Sequence, residues 1–110
     1  MAVSHSIAIR RTFAAAHALR LPNGTFEPLH GHNWTVEAVV ATDGLDPMGV
    51  VMDFHTLEDV VEDLVKRARN RNLNEVQPFA GPGGELVMNP SAELVAKWIG
   101  DEVSSMLPGG

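Results

Sequence analysis

In two stretches of the first half of the chain, mainly apolar residues occupy every second position, with mostly polar or small residues between them, which is the pattern of a β-strand. Residues 3–16 place Ile7, Ile9 and Phe13 on one face, and residues 32–42 do the same with Trp34, Val36, Ala38 and Val40. Alternate residues of a strand point to the same side of a sheet. Each predicted strand therefore has one face suited to packing on a core.

The second half of the chain has helical periodicity instead. A helix that begins near residue 54, capped by Asp53 or Thr56, carries an apolar stripe of Leu57, Val60, Val61, Leu64, Val65 and Ala68. A second helix is predicted to begin at Asn89 and Pro90, a capping residue followed by proline. Its stripe is Leu94, Val95, Trp98, Ile99, Val103 and Met106. Residues 69–84 are rich in Asn, Pro and Gly and are predicted to be irregular.

Composition narrows the classes of protein that fit this pattern. The 110 residues suit a single domain over 1–110, and the net charge of −6 argues against nucleic-acid binding. The absence of cysteine excludes disulfides, cysteine-bound zinc and a cysteine nucleophile. The first residues do not resemble a signal peptide, and no apolar run is long enough to span a bilayer. We expect a cytoplasmic protein without nucleic-acid or membrane partners.

Three histidines near the predicted strand ends are candidates for binding a metal. His30 and His32 flank Gly31 and share one face of the second strand, and His17 follows the first strand with the parity of Phe13. Three neutral imidazoles with one open position form the ligand set of a catalytic zinc site. Alternatively, the two nearby histidines are polar residues on a solvated face, and His17 is an ordinary core or surface residue.

Five motifs, in order over most of the chain, resemble the 6-pyruvoyltetrahydropterin synthase and 6-carboxytetrahydropterin synthase family. They are F-x-A-A-H-x-L at 13–19, L-H-G-H-N at 29–33, G-V-V-x-D-F-x-x-L at 49–57, L-N-E at 73–75 and N-P-[ST]-x-E-x-x-A-x-W-I at 89–99. The resemblance implies an α+β tunnelling fold, an antiparallel β-sheet with two α-helices on one face. It also implies assembly into an oligomeric barrel, as a homotrimer that pairs into a homohexamer.

The same resemblance implies a function in pterin biosynthesis. It implies Zn²⁺ on His17, His30 and His32, and a lyase of the 6-pyruvoyltetrahydropterin synthase type that acts on 7,8-dihydroneopterin triphosphate. Zinc would act there as a Lewis acid and as a template for the substrate. The implied partners are a small-molecule pterin and further copies of the chain.

Two departures from the family pattern concern groups that move protons. The cysteine that usually precedes L-H-G-H is missing, and Glu27 stands three residues before His30. This E-x-x-H-G-H arrangement resembles a branch that releases 6-hydroxymethyl-dihydropterin, so Glu27 is the candidate general base; alternatively it is a solvated loop glutamate. Arg69 and Asn70 replace the family's Asp-His relay, and neither side chain can pass on a proton.

A third departure concerns the last part of the family's fold. Family members continue after the second helix into two more strands, which carry a glutamate that grips the pterin ring. We expect these strands to be missing from the given sequence rather than dispensed with, because a two-stranded sheet buries little core. Two functions therefore stay open: an active carbon–oxygen or carbon–carbon lyase, and a catalytically degenerate homologue that binds zinc and pterin.

Overall fold

The computed structural model describes residues 3–107, so residues 1–2 and 108–110 of the predicted domain lie outside the described part. In chain order the elements are β1 (His5–His17), β2 (His30–Thr42), α1 (Phe54–Ala68), β3 (Arg71–Asn72), a short 3-10 helix (Leu73–Glu75) and α2 (Ala92–Met106). None of the helices within residues 3–107 is both long and apolar enough to cross a membrane.

β1 and β2 form one long antiparallel ribbon. Its register pairs His5 with Thr42 at one end and His17 with His30 at the other. Paired residues point to the same face, so the odd-numbered positions of β1 share a face with the even-numbered positions of β2. On this face β1 is mostly buried and β2 is half-buried. The predicted apolar faces are confirmed, and both strands extend to include the predicted histidines.

A third, two-residue strand makes the sheet mixed rather than wholly antiparallel. β3 runs parallel to β1, opposite Ala15 and Ala16, and gives the strand order β2-β1-β3. Asn70 turns the chain into β3 in a left-handed conformation, with φ of 60°, and its N–H donates to the Ala14 carbonyl at 2.6 Å. Asparagine tolerates this conformation better than most residues. The sequence prediction of an irregular segment here was wrong, because two residues are too few to show a period.

α1 packs on the buried face of β1, and α2 packs beside α1 and contributes its apolar stripe to the same core. α1 buries the whole predicted stripe, and Asp53 caps it by accepting a hydrogen bond from the His55 N–H. The predicted start of the second helix at Asn89 was wrong. Ser91 caps α2 by accepting from the Leu94 N–H, since the Asn89 side chain bonds to the backbone of Arg20 instead.

A chain of ion pairs joins β1 to α1 at the edge of the core. Arg11 contacts Glu58 at 3.3 Å and Glu62 at 3.5 Å, and Arg69 contacts Glu62 at 2.9 Å. The hydrogen bond from Arg69 is the main reason that the pKa of the Glu62 carboxyl lies below its ordinary value. The arginine that replaces the first residue of the family's Asp-His pair is therefore engaged with α1.

The core predicts a large stability difference between Leu57→Ala and Val39→Ala. Leu57 is 0% exposed in α1, whereas Val39 is 57% exposed on the outer face of β2. Truncating a buried leucine leaves a cavity, so we expect a loss of about 2–5 kcal/mol in the free energy of unfolding. The exposed valine should lose about 0.5 kcal/mol or less. Urea unfolding of both variants measures this, and equal losses would contradict the described core.

The Glu62 contacts predict a specific titration. Arg69→Ala should raise the pKa of the Glu62 carboxyl toward its ordinary value, whereas Arg67→Ala, which removes a cation paired with Glu102, should leave it low. Because the folded pKa is depressed, the stabilisation is present at neutral pH and is lost as the pH falls through the folded pKa. An NMR titration of the Glu62 side chain in the three proteins tests this. An unchanged titration in Arg69→Ala would argue against the contact.

Candidate metal centre

The register of the ribbon brings the three predicted histidines together at one end of the sheet. His17 lies opposite His30, and His32 lies opposite Ala15, so all three side chains emerge on the face that carries the core. Their ligand nitrogens all lie within 4.8 Å of one another. His17 is buried, at 7% exposure, and the other two are exposed. The cluster therefore has a closed side toward the core and an open side toward solvent.

Backbone carbonyls fix the tautomer of two of these rings. His17 Nδ1 lies 2.8 Å from the Pro90 oxygen, and His30 Nδ1 lies 2.8 Å from the Pro28 oxygen. A carbonyl oxygen only accepts hydrogen bonds, so each Nδ1 carries the proton and donates it. In the neutral rings, Nε2 then keeps its lone pair. Metal-binding histidines commonly have their second ring nitrogen held in this way.

The two fixed rings turn their lone pairs toward each other. The Nε2 atoms of His17 and His30 are 3.1 Å apart. Two lone pairs at this distance repel unless a cation, either a proton or a metal ion, lies between them. A tetrahedral zinc ion with bonds of about 2.0–2.1 Å holds two ligand nitrogens about 3.3 Å apart. The spacing and the exposed third ring of His32 therefore fit a metal ion with three imidazole ligands and an open position.

Trp34 supports the histidines from the side of the core. Its Nε1–H donates to the Ala15 carbonyl at 3.1 Å. Its ring packs edge-on against His17 and His32, at centroid distances of 5.0 and 6.0 Å. A large aromatic residue whose polar atom is satisfied restricts the rotamers of both rings. The sequence placed Trp34 on the apolar face but did not reveal this role, although it shares the parity of His32.

Two asparagines hold the backbone that follows His17. Asn74 accepts from the Ala18 N–H at 2.9 Å and donates to the Ala18 carbonyl at 2.7 Å. Asn89 makes the same pair of bonds to Arg20, at 2.7 and 3.0 Å. Each side chain thus mimics a short stretch of paired strand and fixes the exit from β1. Sequence reasoning missed both roles, although both residues belong to the motifs that resemble the family.

Glu27 lies at the base of the loop between β1 and β2. Its Oε1 accepts from the Leu19 N–H at 3.1 Å, and its own N–H donates to the Leu19 carbonyl at 3.0 Å. These bonds close the loop that carries His30, and the side chain is half-buried. They give Glu27 a structural role, and its function as a general base stays a prediction.

A cavity of about 610 Å³ lies across the ends of the three strands and is lined by residues 14–16, 31–33 and 70–72. We name it the β1–β3 cavity. His32 and Asn70 both line it, whereas Arg69 does not. Of the two residues that replace the family's relay, Asn70 therefore lines this cavity, and Arg69 pairs with Glu62 on α1.

Comparison with known proteins places the chain among pterin enzymes. The family model described as 6-pyruvoyl tetrahydropterin synthase matches residues 6–110. Dihydroneopterin monophosphate aldolase of Pyrococcus furiosus is 38% identical over 103 residues, which are 94% of this chain and 78% of that protein. The 6-carboxy-5,6,7,8-tetrahydropterin synthase of Bacillus subtilis is 33% identical, over 86% of this chain and 62% of that protein. The match thus spans less than two thirds of the second relative.

Solved structures agree on the fold. The 6-pyruvoyl tetrahydropterin synthase of Caenorhabditis elegans superposes with a TM-score of 0.76 at 19% identity, over 98% of this chain and 82% of that one. The enzyme of Plasmodium vivax gives a TM-score of 0.73 at 17% identity, over 94% and 80%. At such low identity these structures speak for the fold alone. Together with the match over residues 6–110, they confirm the predicted α+β tunnelling fold, and the chain belongs to the 6-pyruvoyl tetrahydropterin synthase family.

Proposed function

We propose that this protein is a zinc-dependent lyase that acts on a phosphate ester of 7,8-dihydroneopterin. The observation that carries the proposal is the pair of Nε2 lone pairs of His17 and His30, 3.1 Å apart with His32 beside them. Such an arrangement needs a cation, and a zinc ion with an open position is suited to catalysis. The sequence resemblance favours the triphosphate as substrate, and the name of the Pyrococcus relative favours a monophosphate.

The side chains around the centre have separable roles in this proposal. When bound, zinc supplies a Lewis acid that polarises a substrate oxygen. The Nδ1–H groups of His17 and His30 keep both rings in the tautomer that binds metal, through Pro90 and Pro28. The exposure of His30 and His32 leaves the open side accessible to the substrate.

Glu27 is our candidate for the group that takes a proton from the substrate. Among residues 3–107 its Oε1 alone is engaged, with the Leu19 N–H, and a carboxylate has a second oxygen that can accept a proton. The loop bond holds the side chain in place, which a general base requires. Side-chain cleavage, a carbon–carbon lyase reaction, fits this glutamate and the 38% identity to an aldolase.

A zinc- and pterin-binding protein without lyase activity is the second candidate. Arg69 and Asn70 favour it, because they replace the two residues with which the family relays a proton. Arg69 is also paired with Glu62 at 2.9 Å and is thereby held on α1.

We also propose that the chain assembles into a homotrimer or homohexamer in the cytoplasm. Support for assembly comes from β2, which forms one edge of the sheet over all 13 of its residues. A long strand with an unpaired edge is prone to pair with another chain. The apolar residues of its inner face are only half-buried against α2.

Metal analysis tests the centre independently of activity. Purified protein should hold about one zinc ion per chain, and His32→Ala should lose most of it, because two imidazoles bind zinc far more weakly than three. His55→Ala is the matched control, since His55 is exposed on α1 and contacts Glu58. Zinc content is measured by mass spectrometry after dialysis against a weak chelator. Full zinc retention in His32→Ala would refute the three-histidine centre.

Product analysis tests the reaction and the role of Glu27. Zinc-loaded protein is incubated with the triphosphate and the monophosphate of 7,8-dihydroneopterin, and products are followed by chromatography. We expect 6-hydroxymethyl-dihydropterin, or a 6-substituted tetrahydropterin if the synthase reaction operates. The absence of conversion would favour the binding protein.

Glu27→Gln separates the base from the loop contact. Glutamine keeps an oxygen that accepts from the Leu19 N–H but cannot take a proton. If Glu27 is the base, kcat should fall by about 10²–10⁴-fold while zinc content and stability are preserved. Glu27→Ala, which also removes the loop contact, should in addition lower stability. Unchanged kcat in Glu27→Gln would show that Glu27 is structural only.

A further inference from the structure

Three consecutive residues that follow the ligand His17 each have both backbone polar groups bonded. In each case a single residue from elsewhere in the chain accepts from the N–H and donates to the carbonyl. The pairs are Ala18 with Asn74, Leu19 with Glu27, and Arg20 with Asn89. We name residues 18–20 the anchor segment. Its backbone is therefore fixed at every position directly beyond the ligand.

Two of the three residues that hold the anchor segment stand directly before a proline. Glu27 precedes Pro28, and Asn89 precedes Pro90. The carbonyls of these same prolines lie 2.8 Å from the Nδ1 atoms of the two histidines that they orient. A residue before proline is restricted to extended conformations, and the proline ring fixes its own φ. An anchored side chain and the carbonyl one residue later are therefore joined by a stiff unit.

Asn89 fixes the two ends of the His17–Pro90 bond relative to each other. Its side chain is bonded to Arg20, three residues after His17, and its own peptide unit leads into Pro90. On the other side of Pro90, Ser91 caps α2. The Pro90 carbonyl is thus held between an attachment to α2 and an attachment to the anchor segment. The ring of His17 and the oxygen that receives its proton therefore lie in one rigid frame.

We propose that Asn89 is a positioning residue for the metal centre. It holds the Pro90 carbonyl where that oxygen keeps a proton on Nδ1 of His17 and leaves the Nε2 lone pair for the metal. The inference rests on the proposed function, which places a zinc ion on the three histidines. Groups that orient a histidine ligand from outside typically change metal affinity by about 10–100-fold when they are lost. The Asn89 side chain is bonded to the Arg20 backbone, so it acts through Pro90 and takes no part in proton transfer.

Asn74 provides the matched control. It makes the same two bonds as Asn89, at 2.9 and 2.7 Å, to the residue directly after His17. The residue that follows it, Glu75, is exposed and is not a proline. A general loosening of the chain beyond His17 would therefore appear in Asn74→Ala as well as in Asn89→Ala. An effect through the Pro90 carbonyl would appear in Asn89→Ala alone.

The ring proton of His17 tests the proposal without relying on metal or turnover. NMR measures how fast the Nδ1 proton of each orienting histidine exchanges with water, in protein with and without zinc. In Asn89→Ala the His17 proton should exchange at least about tenfold faster than in wild type, because its hydrogen bond is weakened. The His30 proton, which Pro28 holds, should be unchanged, and Asn74→Ala should resemble wild type. Unchanged exchange at His17 in Asn89→Ala, or the same acceleration in Asn74→Ala, would overturn the inference.

Zinc affinity then shows whether this positioning serves the centre. In competition with a chromogenic chelator, Asn89→Ala should bind zinc about 10–100-fold more weakly than wild type, and Asn74→Ala should stay close to wild type. Urea unfolding without metal should show similar losses of stability in both, since each loses two hydrogen bonds. Equal weakening of zinc binding in both variants would refute the positioning role. If wild type holds no zinc, the proposed metal centre fails, and proton exchange at His17 still decides whether Asn89 positions the ring.

A milder pair of variants keeps the test decisive if Asn89→Ala does not fold. Asn89→Ser and Asn74→Ser retain a hydroxyl that can still bond to the anchor segment. The same difference between the two positions is expected, in the same direction and smaller. Equal proton exchange and equal zinc affinity in this pair would likewise overturn the inference.

Discussion

The antiparallel pairing of β1 with β2 is the constraint on which the candidate site depends. The pairing of His17 with His30 puts three imidazoles on one face. A shift of the register by one residue would turn both histidines of β2 to the opposite face and expose the apolar residues of that strand. The burial of Phe13 beside Trp34 therefore also selects the geometry of the candidate metal centre. Core packing and site assembly are consequences of the same register.

The parts of this arrangement that follow a period were predictable from the sequence. The alternation along both strands, the stripes of both helices and the shared parity of the histidines each extend over many residues, so the pattern exceeds chance. The parts that depend on a single distant partner were not predictable. Ser91 caps α2 only because Asn89 is engaged with Arg20, 69 residues away. β3 exists only because β1 offers it an edge.

The candidate site has the family's three histidines but not the two residues with which the family relays a proton. The candidate metal-binding part matches the family pattern: it has three clustered histidines, two carbonyls that orient His17 and His30, and a tryptophan beside them. The proton-handling part differs, because Arg69 has become part of an ion-pair chain and Asn70 a turn residue. Both residues at these positions thus have structural roles in this fold. Proton transfer in this protein would use a group outside the family's usual pair, and Glu27 is our candidate for it.

The bond between His17 and the Pro90 carbonyl has a thermodynamic consequence. Pro90 is among the most deeply buried residues and lies just before α2, so the orientation of one ligand depends on the docking of a helix from the other end of the chain. Binding of a metal to the folded state alone would stabilise that docking by linkage, and loosening of α2 would weaken the metal in equal measure. The affinity for metal and the free energy of docking α2 are in this sense thermodynamically linked. A substitution far from the histidines, on the inner side of α2, can thus change how tightly the metal is held.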